Sequence, residues 1–382
     1  MYYFWILMQD KILNIVAFDN PYPPNYGGVI DVYYKIKALY EIGFDIHLHC
    51  FVKEVPKECI ELQLITASVN FYKTEVKWYH LFSSLPISVI SRAQKELVDN
   101  LVKIDAPILF EGLKTTCLYN DVRLKAKSKY LRYHNIEHNY YKGLALSETN
   151  LVKKFLFWIE SNRYKKYENT VLGGFKSVLT LSNADDYHVN TIFGNSVLVP
   201  VFHGNSSVDE CLSEFGEFTL FHGDLKTSDN LKSAFFVIEI FKKIKNRKLV
   251  IASSSGKEII TKKIEHLQNI QFIELQTNEQ LKELFTNAHI CISWSFQKSG
   301  TKLKLINTLF QSRHNVINQN ITDSQEVIGL CHIVASSSEL VETINRLMEM
   351  PYAQKELIRR KKVLIEKLND FQNAKKLVEV ID

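Results

Sequence analysis

The sequence lacks the features that mark several large classes of protein. Its six cysteines are scattered, with no CxxC pair and no finger-like spacing of cysteine and histidine, which is the usage expected in a reducing cytoplasm. It contains no long apolar run, and the apolar start MYYFWILMQDK is too short to span a bilayer and lacks the basic region and cleavage site of a secretory signal. We therefore expect a cytoplasmic protein without a membrane span.

A strong charge of one sign is also missing. Lysine and arginine number 47 against 42 acidic residues, so the net charge is +5, which does not require nucleic acid as a partner but suits anionic substrates or an anionic membrane surface. The absence of GxGxxG argues against a dinucleotide-binding dehydrogenase. No pair of carboxylates at glycosidase-like positions can be identified either.

Strand-like and helix-like segments alternate along the chain, which predicts an α/β protein with parallel sheets flanked by helices. We predict strands at 11–18, 44–51, 107–110, 129–133 and 177–181 in a first half, and at 218–222, 248–252, 271–273 and 289–293 in a second. The segment 177–181 is predicted to be the last strand of the first half. The 382 residues suffice for about two domains, and we predict the divisions 1–200, a connector 201–216, 217–350, and a C-terminal helical segment 351–382.

The stretch KSGTKLKLINTL, residues 298–309, places lysines at the start of a predicted helix. Its apolar spacing predicts an amphipathic helix from Thr301, with 299–301 supplying capping residue types. A helix N-terminus disfavours cations by ~0.3–1 kcal/mol each, yet Lys298, Lys302 and Lys304 crowd the first turn. We predict that a bound anion makes this arrangement favourable, with solvated surface lysines as the alternative.

Two further loops follow predicted strands of the first half, where open α/β sheets bind ligands. NPYPPNYGG ends in Gly27 and Gly28, which would let the backbone approach a phosphate or a sugar closely, although a plain turn is the alternative. YHNIEHNYY begins at Tyr133, and His134 within it could hydrogen-bond a sugar hydroxyl or simply cap or pack. His138 would share a helical face with His134, but no third metal ligand lies nearby, so we predict no metal site.

Several of these stretches resemble, in order and spacing, the GT-B-fold glycosyltransferases of the bacterial retaining type, the nucleotide-sugar-dependent group 1 or family-4-like enzymes. Similar to that family are DNPYPPNYGGVIDVYYKIKALYEIGFDI, LRYHNIEHNYYKGLA, IESNRYKKYENTV, VLTLSNADDYHV, FHGDLKTSDNLKSA and SGTKLKLINTL. The resemblance spans essentially residue 11 to the end of the chain.

The resemblance implies two Rossmann-like domains facing across a cleft, with a C-terminal helix that crosses back to the first domain. It implies transfer of a sugar from a nucleotide diphosphate sugar to a glycan or lipid-linked glycan acceptor, with retention of anomeric configuration, in bacterial surface polysaccharide synthesis. It implies no cofactor, no metal and no nucleic acid. The location would be cytoplasmic, with peripheral contact to the inner face of the cytoplasmic membrane.

The resemblance also implies the site. His134 and Lys302 would be catalytic, and the donor-binding residues would be Gly28, Gly223, Lys226, Gly300, Thr301, Lys304 and Asn307. Three positions depart from the family pattern. Asn307 and Ser299 stand where the family commonly has Glu, and Asp224 stands where it often has Arg.

Two other functions remain open at this point. A nucleotide-sugar epimerase of the same fold would need acidic groups, for which Glu111, Glu137 and Asp224 are the loop candidates. A catalytically inactive sugar-nucleotide-binding protein is the third hypothesis. For membrane contact we predict the apolar residues 2–7 with nearby Lys11, Lys35 and Lys37, with a strand extension or disordered start as the alternative.

Overall fold

The computed structural model describes residues 11–148, 150–210, 212–297 and 302–381. The chain forms two compact units, which are described separately below. The first unit comprises 11–146, 150–204 and 370–381, and the second comprises 147–148 and 205–369 apart from the undescribed positions.

A seven-stranded parallel sheet forms the centre of the first unit, in the order β3-β2-β1-β4-β5-β6-β7. Its strands are β1 Ile12–Ala17, β2 Asp45–Val52, β3 Ser68–Lys73, β4 Ile108–Glu111, β5 Lys129–Tyr133, β6 Ser177–Thr180 and β7 Ser196–Leu198. The order reverses between β1 and β4. That reversal is the switch point of a doubly wound sheet, where ligands bind beside the carboxyl ends of the strands.

Helices cover both faces of this sheet: α1 Gly27–Glu41, α2 Ile60–Gln63, α3 Ile87–Ile90, α4 Lys95–Lys103, α5 Glu137–Ser147, α6 Leu151–Val171, α7 Asn183–Phe193 and α15 Asp370–Ile381. The apolar residues Val32, Ile36 and Leu39 of α1 recur at helical spacing and are buried in one core with Leu377 of α15. The last helix of the chain therefore belongs to the first unit, as predicted.

The second unit has a six-stranded parallel sheet in the order β10-β9-β8-β11-β12-β13, which reverses between β8 and β11. Its strands are β8 Phe218–His222, β9 Leu249–Ser253, β10 Ile270–Glu274, β11 Ala288–Ser293, β12 His314–Ile317 and β13 His332–Ile333. Its helices are α8 Ser228–Phe241, α9 Lys257–Ile264, α10 Asn278–Asn287, α11 Leu303–Gln311, α12 Gln325–Ile328, α13 Ser337–Leu347 and α14 Gln354–Lys367. No helix among the described residues is both long enough and apolar enough to cross a membrane.

Several sequence-based boundaries differ from the structure. The first sheet continues past 177–181 to β7, an edge strand of three residues whose shortness hides it from periodicity. The predicted connector 201–216 divides at residue 204, because Phe202 is buried in the first core. The predicted segment 351–382 is two helices, α14 and α15, which belong to different units.

Candidate functional site

The switch point of the second sheet brings together the loop after β8 and the loop after β11. Asp229, in the first turn of α8, ties them together: its carboxylate accepts hydrogen bonds from Ser295 Oγ at 2.6 Å and from the backbone N–H of Phe296 at 2.8 Å. Both loops lie at the carboxyl ends of their strands, where the sequence placed the donor site.

The start of α11 differs from the prediction. The helix begins at Leu303, and Lys302 occupies the N-cap position with a non-helical backbone and no side-chain cap. The ammonium of Lys302 is close enough to lower the pKa of Lys304. Because Lys302 lies outside the helix, helical spacing does not determine where its side chain lies relative to that of Lys304.

Lys304 lies deep in this region. Its Nζ donates to Asn230 Oδ1 at 3.0 Å and to the Trp294 carbonyl oxygen at 3.3 Å, and it lies 5.5 Å from the centroid of the Phe221 ring. Among the described residues, no carboxylate forms an ion pair with Lys302 or Lys304. Neutral groups therefore hold the ammonium of this half-buried lysine.

The electrostatics of the site favour an anion. Burial and the charge of Lys302 lower the pKa of Lys304 to about 8. Burial also lowers the pKa of Lys302, against the opposing attraction of Asp229. Burial and the neighbouring Lys304 lower the pKa of His222 to about 3, so this histidine is neutral. A bound dianion would relieve the cost of holding two desolvated ammonium groups together.

The loop after β8 contributes through Gly223. An ideal Cβ on Gly223 would lie 3.2 Å from the carboxamide of Asn230, so a glycine lets the loop pack against the residue that holds Lys304. The carboxylate of Asp224 is held by two neighbouring groups. Its Oδ1 accepts hydrogen bonds from Ser255 Oγ at 2.8 Å and from the Lys226 N–H at 3.0 Å. Lys226 itself is exposed.

The remaining donor-side residues are not all brought together. The side chain of Asn307 accepts a hydrogen bond from Asn205 Nδ2 at 2.9 Å, one turn along α11 from Lys304. Gly300 and Thr301, and with them the predicted caps 299–301, lie outside the described residues.

In the first unit, His134 follows β5 and meets residues that follow β1. The Phe18 ring packs edge-on against His134 with 5.5 Å between ring centroids. An ideal Cβ on Gly28 would lie 2.7 Å from the same Phe18 ring, so a side chain at this position would displace that ring. Gly28 lies inside the first turn of α1 rather than in the preceding loop. The structure thus joins Gly28 and His134 through Phe18.

A buried ion network lies behind His134. The imidazole Nε2 lies 3.1 Å from Glu111 Oε2, and the other oxygen of Glu111 lies 2.7 Å from Lys35 Nζ. Lys35 also pairs with Asp31 at 2.9 Å, and Asp31 accepts two hydrogen bonds from the guanidinium of Arg132, at 2.9 and 3.1 Å. The side chains of Asp31, Lys35, Glu111 and Arg132 are buried.

This network keeps both carboxylates ionised. Burial alone would raise the pKa of Asp31, but Arg132 and Lys35 hold it well below its usual range. Burial alone would also raise the pKa of Glu111, but Lys35 and His134 lower it below its usual value. Because ionised Glu111 can only accept, Nε2 of His134 is the donor in this hydrogen bond, which fixes the tautomer whenever the ring is neutral. Its Nδ1 is then the acceptor left for a ligand.

The same cluster supplies three groups of the metal-binding type, since ligand atoms of Asp31, Glu111 and His134 lie within 4.8 Å of one another. Lys35 and Arg132 already neutralise the two carboxylates, so the arrangement is a salt-bridge network rather than a metal centre. The other histidine considered as a metal ligand has a different partner. His138 hydrogen-bonds Glu168 through Nδ1 and does not join His134.

Sequence reasoning missed most of this network and part of the donor side. Lys35 was assigned to a membrane surface, which is wrong, because its side chain is fully buried. A signal was present: Asp31 and Lys35 form an i, i+4 pair within the apolar face of α1. On the donor side, Asp229 and Asn230 were passed over, although they directly follow the loop after β8.

The three acidic residues named for an epimerase are each buried or held by other groups. Glu111 ends β4 instead of lying in a loop, and it is held ionised by Lys35. Glu137 is buried, which raises its pKa. Asp224 is held by Ser255 of the loop after β9 and by the Lys226 N–H.

Comparisons with known proteins address the fold. No family model matches the chain. A Klebsiella pneumoniae protein described as an uncharacterized 44.6 kDa protein in cps region is 26% identical over 320 residues, which cover 78% of this chain and 81% of the relative. Sucrose-phosphate synthase from Thermosynechococcus elongatus aligns with a TM-score of 0.70 at 13% identity, over 97% of this chain and 98% of the other.

Two further glycosyltransferase structures align over 97% of this chain. A TarM variant from S. aureus, in complex with Fondaparinux, alpha-GlcNAc-glycerol and UDP, has a TM-score of 0.68 at 10% identity and is covered in full. WaaG, a glycosyltransferase involved in lipopolysaccharide biosynthesis, has a TM-score of 0.65 at 9% identity and 99% coverage. The chain has the GT-B fold. This confirms the fold that the sequence resemblance implied, with two parallel-sheet α/β units.

Proposed function

We propose that this GT-B protein is a glycosyltransferase. It would move a sugar from a nucleotide diphosphate sugar to a glycan or lipid-linked glycan acceptor, with retention, in bacterial surface polysaccharide synthesis. The observation that carries the proposal is the pair of desolvated lysines at the switch point of the second sheet, Lys302 and Lys304. The UDP bound in the TarM complex and the cps-region relative support the donor class and the pathway.

The proposed chemistry uses these charges where the leaving group departs. The bond from the anomeric carbon to the diphosphate breaks, a bond to an acceptor hydroxyl forms on the same face of the sugar, and the hydroxyl proton is released. Negative charge grows on the diphosphate during this step, so preorganised ammonium groups stabilise the transition state more than the ground state. Lys302 and Lys304 supply the positive charge that a metal ion brings in other transferases.

His134 would act on the sugar. With its proton held on Nε2 by Glu111, the imidazole presents Nδ1 as an acceptor for a sugar hydroxyl. Because Glu111 is itself fixed by Lys35, the ring is held in one orientation, which favours positioning of the reacting centre.

Turnover of a panel of UDP-, GDP- and dTDP-sugars tests the proposal. We expect one donor to release its nucleoside diphosphate when a glycan or lipid-linked acceptor is added, and the new linkage to keep the donor's anomeric configuration. Lys302→Ala provides the matched inactive control. Conversion of the donor to an epimer without release would identify an epimerase, and binding without any turnover would identify a non-catalytic protein.

A further inference from the structure

The second unit contains a cavity of about 500 Å³, a volume within the range of small-molecule sites. Two of its lining residues, His314 and His332, are the first residues of β12 and β13. The cavity therefore lies at the amino ends of these strands, whereas the lysines of the donor site lie at the opposite, carboxyl edge of the sheet. Because a four-residue strand such as β12 spans about 13 Å, the cavity is separate from the donor site.

Helix α14 gives the wall of this cavity a positive charge. Three cationic side chains, Lys355, Arg359 and Arg360, line it together with one carboxylate, that of Glu356. Glu356 lies 3.6 Å from Arg359, and no carboxylate in the described part of the chain pairs with Lys355 or Arg360. An ideal Cβ on Gly329, across the cavity, would lie 3.3 Å from Arg359 Nη2. Three cations against one carboxylate leave a surplus of two positive charges, which suits a dianion such as a phosphate group.

The inner side of the cavity is fixed by Arg360. Its guanidinium donates to three carbonyl oxygens at the end of α11, those of Leu309 at 3.3 Å, Ser312 and Arg313. It also lies 4.9 Å from the centroid of the Tyr352 ring. Because this buried arginine already has its partners, it contributes charge to a preformed wall, and Lys355 and Arg359 are the cations left to contact a ligand.

Two buried polar groups of lining residues have no hydrogen-bond partner among the described residues: the Tyr352 hydroxyl and Asn315 Oδ1. Tyr352 is 6% exposed and Asn315 is 1% exposed. The amide nitrogen of Asn315 donates to the Arg313 carbonyl oxygen at 3.2 Å, which leaves Oδ1 as the unpaired atom. Buried groups without a partner are few in folded proteins and call for a missing water, ion or ligand.

The two histidines of the cavity form a chain of hydrogen bonds. His314 Nε2 lies 3.3 Å from the Met350 carbonyl oxygen, and His332 Nε2 lies 3.4 Å from His314 Nδ1. Burial and the neighbouring histidines lower the pKa of His314 to about 3, and burial and Arg346 lower that of His332. Both rings are therefore neutral at pH 7. Since the carbonyl can only accept, each Nε2 is a donor, and His332 Nδ1 is an acceptor for a ligand hydroxyl.

We propose that this cavity binds a small phosphate ester that also carries hydroxyl groups, at a site separate from the donor site. The phosphate would contact Lys355 and Arg359 and accept from the Tyr352 hydroxyl, while a hydroxyl of the ligand would donate to His332 Nδ1. The proposal depends neither on the proposed function nor on the membrane contact predicted for residues 2–7, which lie outside the described residues.

Calorimetric titration of the full-length protein with glycerol 3-phosphate tests the site. We expect one site with a Kd below about 1 mM, weaker binding of inorganic phosphate, which lacks the hydroxyl groups that donate, and no binding of glycerol. Lys302→Ala, which removes a charge from the donor site, should leave the affinity unchanged. Lys355→Gln with Arg359→Gln should weaken binding at least about tenfold, since hydrogen bonds to charged groups are lost.

Matched variants separate a built site from diffuse surface charge. Lys282→Gln with Lys362→Gln removes two exposed lysine charges outside the cavity and should leave the affinity unchanged. Tyr352→Phe removes only a hydroxyl that has no protein partner. It should weaken glycerol 3-phosphate binding about fivefold, the worth of one hydrogen bond, without lowering the free energy of unfolding.

Three results would overturn the proposal. The first is no binding of glycerol 3-phosphate up to about 10 mM. The second is an affinity that falls as much in the Lys282 and Lys362 pair as in the Lys355 and Arg359 pair, which would indicate general attraction to a basic surface. The third is binding that Lys302→Ala abolishes and the cavity variants retain, which would place the ligand in the donor site.

Discussion

Replacing Lys304 with methionine should stabilise the free protein and weaken donor binding at the same time. Burial and Lys302 lower the pKa of Lys304 from 10.5 to about 8. One unit of pKa corresponds to about 1.36 kcal/mol, so keeping this ammonium charged at neutral pH costs about 3 kcal/mol. Methionine keeps most of the side-chain volume without the charge.

Lost hydrogen bonds offset part of this gain in stability. The variant loses the hydrogen bonds to Asn230 and to the Trp294 carbonyl, each worth about 1 kcal/mol net. We therefore expect the free energy of unfolding at pH 7 to rise by about 1–2 kcal/mol. Between pH 8 and 10.5 the protein with Lys304 binds more protons when it is unfolded than when it is folded. Its stability therefore rises with pH in that range. The methionine variant should lose this dependence.

Donor binding should change in the opposite direction. Losing one preorganised electrostatic contact costs about 2–4 kcal/mol, so UDP should bind roughly 30 to 1000 times more weakly to the variant. A bound diphosphate raises the pKa of Lys304. Above about pH 8 the native protein should therefore take up a proton on binding UDP, whereas the variant should not.

Calorimetric titration of UDP at pH 7 and about pH 9, in buffers of different ionisation enthalpy, measures affinity and proton uptake together, and denaturant unfolding gives stability. Lys282→Met, at an exposed position on α10, is the control for a neutral substitution outside the site. Unchanged UDP affinity, or lower stability without loss of proton uptake, would refute the assignment of Lys304 to an anion site.

Three further predictions follow from the same structure. Lys302→Ala should lose about 2–4 kcal/mol of transition-state stabilisation in steady-state kinetics and should bind nucleoside diphosphate more weakly; unchanged values in a folded variant would contradict its role. His134→Ala should reduce turnover far more than binding of the bare nucleoside diphosphate, and equal losses would assign the residue to structure. Since the pKa values of Asp31 and Glu111 are lowered on folding, both groups stabilise the protein above about pH 4.5, and this is lost as the pH falls. Asp31→Asn should therefore destabilise the protein at pH 7 by about 3 kcal/mol and flatten the acid dependence in denaturant unfolding, and an unchanged acid slope would rule this out.

Much of the architecture follows from local patterns in the sequence. β5 and β8 have the predicted bounds, because a buried parallel strand is a short apolar run that the sequence shows directly. The rule that ligands bind at the carboxyl ends of parallel strands then directed attention to His134, whereas the lysines at the start of α11 stood out by their unfavourable position at a helix N-terminus. That rule needs only element order, which the sequence contains.

The edge elements and the helix starts were harder to predict. β7 and β13 have three and two residues, too few to show a period. The start of α11 depended on the backbone of Lys302, which departs from the helix. Helical spacing therefore does not describe the relation between Lys302 and Lys304.

By itself, the sequence determined the alternation of strands and helices, the two sheets and the loops at their carboxyl ends. Only the tertiary structure decided which charges are buried and what pairs with them. Lys35 lies on the apolar face of α1 with Asp31, but its partner Glu111 is 76 residues away, and Asp31 meets Arg132 across 101 residues. Spacing along an element determines which face a side chain occupies, whereas its solvation and its ion pairs depend on what distant segments place against that face.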